Sequence, residues 1–122
     1  MGAVVPPGWP ASVHPAETPE FERTAVGWLL DLCPPDYRAY DVLRRHPVVL
    51  ARFAADHVGA AVSAARSGLA GLRADLAGVV PPEAIEAAVS AYEREIVRLT
   101  RTARSIVLVD QALRGGRFRA RL

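Results

Sequence analysis

Three histidines, one cysteine and thirteen carboxylates hold the catalytic and metal-binding potential of this sequence, and their spacing assembles none of the familiar sites. His14, His46 and His57 lack the i,i+4 pairing that sets two imidazoles on one helical face for zinc. Asp56 and His57 are neighbours, so on a helix they diverge by about 100° and cannot act as a dyad. Cys33 has no basic partner in a motif that would lower its pKa, and is expected to be a small buried thiol. No nucleophile elbow, phosphate-binding glycine loop or CxxC pair occurs, and no ExxH motif accompanies inward glutamates. Glu17, Glu20, Glu22, Asp31, Glu93 and Asp110 read as the acids of solvated helix faces. The chain is therefore expected not to be an enzyme, and to use no cofactor, metal or small-molecule substrate.

The remaining chemistry is arginine. All 15 basic residues are Arg, with no Lys or Asn and a single Gln, so a GC-rich coding bias inflates the count. Net charge is +2, yet residues 1–93 balance to −4 and residues 94–122 to +6. A basic end of this kind is the usual electrostatic footprint for phosphate or an acidic partner. Arg94, Arg98 and Arg101 fall on one stripe of a helix with Arg104 beside it; Glu95 can pair with Arg98 at i,i+3, but Arg94 and Arg98 are a like-charge i,i+4 pair, so the row is not neutralised by its own helix. Arg114, Arg117, Arg119 and Arg121 continue the basic run, starting from an RGG-like Arg114-Gly115-Gly116. Arg44, Arg45 and His46 form a smaller cluster before Pro47, readable as anion capture at a helix start or as solvated loop charge.

Two long helices must carry these residues. Val58, Val62, Ala65, Leu69, Leu72, Leu76 and Val79 recur at alternating four-three spacing. After Pro81-Pro82 the rhythm resumes through Ile85, Val89, Tyr92, Ile96, Leu99, Ala103 and Ile106. Matched seams joined by a proline turn predict an all-α fold, an antiparallel coiled-coil hairpin of helices at about 47–78 and 82–114. Ile106 to Val109 are apolar all round, as are Val48, Val49, Leu50 and Phe53, so a third element should cover the open end. The helix at about 18–33, carrying Phe21, Ala25, Trp28, Leu29 and Leu32, fits that place; Thr18-Pro19-Glu20 reads as its cap and first turn. Asp110 falls on the seam and would need Arg52 or Arg44 as a partner.

Between these helices, residues 36–46 form a connector with one short helix near Asp41–Arg45, whose inward groups are Tyr37, Tyr40, Val42 and Leu43. Residues 1–17 hold four prolines and predict an extended arm, and residues 115–122 a basic tail, around one domain at 18–114. Trp9, the one large side chain of the arm, anchors either to a partner or to the protein's own bundle. Gly59, Gly68 and Gly71 each cost the first long helix about 1 kcal/mol against alanine. A row of small residues on its far side, Ala60, Ala64, Ser67, Gly71, Ala74 and Gly78, reads as a close-approach face for a partner or second copy, or as an exposed alanine surface.

The hydrophobic fraction of 51% includes 22 alanines, which favour helix but add little burial energy. One cysteine forms no internal disulfide and fits a reducing compartment. No secretion signal and no membrane span are expected, which makes a cytoplasmic protein the default. The stretch TAVGWLLDLCPPDYRAYDVLRRHPVVLARFAADHV (24–58) resembles small uncharacterised all-α proteins of high-GC actinobacteria. The resemblance implies an actinobacterial, cytoplasmic setting and carries no activity across.

Two functions fit. One is a non-catalytic helical adaptor or accessory protein, engaging a protein partner or forming a homodimer through the small-residue face, the Trp9 arm or both. The other is nucleic-acid binding through Arg94, Arg98, Arg101, Arg104 and the 114–121 arginines, with affinity falling steeply with salt.

Overall fold

Proline at the first position starts both long helices, where its missing N–H has no carbonyl to meet. In the computed structural model, which describes residues 5–115, they are α3 (Pro47–Leu76) and α4 (Pro82–Leu113). They pack along each other as an antiparallel hairpin. Val58, Ala65 and Leu72 from α3, with Ile85, Leu99 and Ile106 from α4, are buried along the seam. At the turn, Ala77 leaves the helix at ψ 126°, Gly78 adopts φ +76°, and Leu76 O accepts from Val79 N at 2.9 Å. The helix therefore stops two residues before the predicted end. Val79 leaves the seam and is 71% exposed. Arg73 and Glu86 clamp the two helices beside this turn; the guanidinium holds the carboxyl of Glu86 below its usual range.

The open end closes as the broad apolar stretches require. α1 (Phe21–Leu32) packs mainly on α3 and more lightly on α4, and α2 (Asp41–Arg45) packs on α3. Leu29, Leu43, Leu50, Ile106 and Val109 are fully buried, one or two from each helix. Each is worth about 1.5–3 kcal/mol of burial. Ala25, Ala51 and Ala54 are also buried, and their small size lets the helices approach closely. The buried Cys33 thiol ends α1, and burial pushes its pKa up against a smaller opposing pull from Arg38. Between α1 and α2, a 3-10 turn (Pro35–Ala39) sets Tyr37 edge-on to Phe53 at 5.7 Å. Of the connector's predicted inward groups, Leu43 is buried, but Tyr40 and Val42 are 52% and 47% exposed, because five residues of helix present only one narrow face to α3.

Three further expectations need correction. The N-terminal segment is folded, not extended: Trp9 N, Val13 N and Thr18 N donate to Pro6 O, Pro10 O and Pro15 O at 3.0–3.1 Å, closing three successive turns. Pro7 followed by Gly8 at φ +90° suits a type II turn at the first of these. Thr18 does not cap α1, since its hydroxyl donates back to Pro15 O at 2.7 Å; Glu20 holds the cap position without a side-chain bond. Asp110 pairs with Arg114 at 3.1 Å on its own helix, and not with Arg52 or Arg44, because its place at the edge of the core leaves it partly in water.

Among the described residues, one helix, α3, is long and apolar enough by length and composition to cross a membrane. Alanine and valine supply that apolarity. Leu50, Ala51, Ala54 and Val58 on this helix are packed into the protein core.

Candidate functional site

The N-terminal turns, α1 and α4 meet around an open groove of about 560 Å³. Its floor and walls are apolar: Pro10 from the turns, Trp28 from α1 and Val97 from α4. Arg94, Arg98 and Arg101 line it from the α4 side, with Glu93 at one end and Thr102 and Ser105 toward the other.

Local sequence explains each placement. Leu29 must point into the core, so Trp28, one residue and about 100° earlier, turns its indole toward the flank. Trp28 is thereby half-buried and packs against the core from outside. Arg94, Val97, Arg98 and Arg101 follow i,i+3 and i,i+4 spacing, which aligns them on one α4 face. The turns are tied in place by polar bonds. Ser105 Oγ donates to Gly8 O at 2.7 Å, and His14 N donates to Thr24 Oγ1 at 3.0 Å. Trp9 Nε1 donates to Val13 O at 2.8 Å while its ring stacks on Phe21 at 5.9 Å.

Of the two readings of Trp9, these contacts fit the one in which its indole anchors the turns to the protein's own bundle. The groove owes its Pro10 wall to this anchor.

Charge in the groove is unevenly satisfied. Arg98 Nε donates to Glu95 Oε2 at 3.0 Å, and the guanidinium lowers the Glu95 pKa. Arg94, Arg101 and Arg104 are exposed and in no ion pair among the described residues. The hydroxyls are used locally: Thr102 Oγ1 donates to Arg98 O at 3.0 Å, and Ser105 Oγ as above. No proton-transfer pair lines the groove, and among the described residues no group of acids, histidines and cysteine gathers as a metal site.

The other predicted residues lie elsewhere. Ala60, Ala64, Ser67, Gly71 and Ala74 are all exposed on α3, with open space over Gly71. Arg114 is exposed but pairs with Asp110, at the far end of α4 from Arg94. Arg117, Arg119 and Arg121 lie outside the described residues. In the small basic cluster, Arg45 pairs with Asp41 at 2.9 Å, while His46 occupies the cap position of α3 without a side-chain bond.

Sequence reasoning missed Pro10, Trp28 and Val97 as members of one surface. Val97 carried a usable signal: it is an apolar residue placed three after Arg94 and four before Arg101, off the seam and on the arginine stripe. No family model, curated protein or solved structure matches this chain.

Proposed function

We propose that this chain is a non-catalytic helical adaptor, acting through protein–protein interaction in a reducing, cytoplasmic setting. One observation carries the reading: an open groove with an apolar floor of Pro10, Trp28 and Val97 under a rim of exposed arginines. Half-buried tryptophan and exposed arginine around a small apolar patch are among the residue types enriched at protein–protein hot spots. A nucleic-acid reading keeps one specific support, since Trp28 beside Arg94 and Arg101 combines a stacking surface with phosphate-binding charge.

The test is capture of the tagged full chain from its native cells with nuclease treatment before elution, in wild-type and Val97→Glu forms. The adaptor reading expects a defined protein partner that survives nuclease, and its loss with Val97→Glu would put that partner on the groove. Recovery of nucleic acid without nuclease, and of nothing after it, would replace the adaptor by the second reading. Sedimentation of the purified chain distinguishes a homodimer from a complex with another protein.

A further inference from the structure

Building on the adaptor reading, we infer that the groove receives an acidic amphipathic helix of a partner protein, with carboxylates at i and i+7 on Arg94 and Arg101. Apolar side chains at i+3 and i+4 settle between them on Trp28, Val97 and Pro10.

Three observations fix that occupant. The first is charge. Arg98 is already held by Glu95, and Glu93 stands at the groove's end, so two guanidiniums, Arg94 and Arg101, remain without an ion-pair partner among the described residues. Two carboxylates satisfy that demand, and each fits an arginine fork in bidentate fashion. A nucleic-acid backbone, with a phosphate on every nucleotide, would set further phosphates against Glu93 and the occupied Arg98. The second is spacing. Seven residues at about 1.5 Å each separate Arg94 from Arg101 by about 10.5 Å, two helical turns. A helix laid beside α4 repeats that interval between its own positions i and i+7, and offers i+3 and i+4 in between. The third is the floor. Val97 lies between the two arginines on α4 and is 51% exposed, and the neighbouring hydroxyls of Thr102 and Ser105 already donate to backbone carbonyls. The middle of the groove therefore favours apolar side chains, while its rim favours negative charge. Helix-in-groove recognition uses this arrangement of apolar anchors read along one face.

The full chain carries two indoles, Trp9 and Trp28, and the part of its emission that Trp28→Phe removes reports on the groove while the Trp9 anchor stays in place. The probe is a synthetic helix-favouring peptide with Glu at i and i+7 and Leu at i+3 and i+4. Variants carry Gln for both Glu, Ala for both Leu, or Lys for both Glu, and a labelled single-stranded 12-mer oligonucleotide is run in parallel. The expected result is a saturable change in Trp28 emission with the acidic peptide. Affinity should fall about tenfold or more with the Gln peptide, with the Ala peptide and with Arg94→Gln plus Arg101→Gln. Arg94→Glu plus Arg101→Glu should bind the Lys peptide in place of the acidic one. Arg94 and Arg101 are exposed, and circular dichroism checks that each variant folds.

No change in Trp28 emission up to about millimolar peptide, or equal binding of acidic and Gln peptides, overturns the proposal. Oligonucleotide binding lost in the Arg94→Gln, Arg101→Gln double variant overturns both this proposal and the adaptor reading. A protein partner retained by that double variant and by Val97→Glu in the capture experiment overturns the groove alone and leaves the adaptor reading standing on another face.

Discussion

Replacing Gly68 and Gly71 by alanine, one at a time, should stabilise the protein at Gly71 and not at Gly68, although both glycines lie inside the same long helix. An alanine in a helix interior is worth about 1 kcal/mol over glycine, through the backbone entropy that glycine loses on folding. At Gly71 nothing lies within 4 Å of an added Cβ, so Gly71→Ala should realise most of that gain. Gly59 is equally open and should behave alike. At Gly68 the same Cβ would sit 2.7 Å from Cε1 and Oη of Tyr92 and 2.8 Å from its Cζ. Those atoms belong to the far end of a side chain, so the ring can swing aside, but Tyr92 is half-buried on the seam and loses its packing on α3 when it does. Overpacking of this kind costs about 1–3 kcal/mol, which cancels or exceeds the helical gain. Gly68→Ala should thus be neutral to about 2 kcal/mol less stable than the parent, while Gly71→Ala is about 1 kcal/mol more stable. For a domain of this size 1 kcal/mol moves Tm by about 4 °C. Thermal and urea unfolding of the single variants, and of Gly68→Ala on a Tyr92→Ala background, provide the assay. With the ring gone, Gly68→Ala should become stabilising, a coupling of about 1–3 kcal/mol between the two sites. Equal stabilisation by Gly68→Ala and Gly71→Ala in the parent, or no coupling in the cycle, would refute the claim that Gly68 exists to admit Tyr92.

Leu50→Ala, at a fully buried position, should cost about 2–5 kcal/mol by urea unfolding, and Leu69→Ala on the half-buried two-helix end distinctly less; equal losses would contradict the placement of the core. Glu86 has a folded pKa below its ordinary 4.5, so its stabilising contribution is complete above pH 4.5 and disappears as pH falls through the folded value; Glu86→Gln should flatten the acid limb of a Tm-versus-pH curve there. Because burial raises the Cys33 pKa, its alkylation in the native protein at pH 8 should be about tenfold or more slower than in denaturant, measured by mass spectrometry; equal rates would mean the thiol is accessible.

The architecture was legible because it rests on periodicity. A four-three apolar rhythm on each side of Pro81-Pro82 has one economical solution, and the excess apolar width at 106–109 demanded the cover that α1 provides. Ile106 and Val109 are buried accordingly, and Leu108 meets Gly8 of the N-terminal turns, while Val107 stays 53% exposed. Local rules failed where a residue had two partners available. Thr18 had the identity of a helix cap yet donates to Pro15 O, and Asp110 took Arg114 one turn away on its own helix in place of an arginine across the bundle.

The sequence by itself determined which faces of the two long helices are apolar and that arginines 94, 98, 101 and 104 share the opposite side of the last one, since helical pitch converts spacing into direction. Only the tertiary structure decided what lies beside those arginines. Trp28, Pro10 and Val97 come from three segments up to 87 residues apart in the chain, and no local pattern encodes their meeting. It follows from the angle at which α1 crosses the open end, from Trp9 fastening the turns onto Phe21, and from Ser105 holding Gly8 against α4. Long-range packing made that groove, whereas local periodicity made the helices that line it.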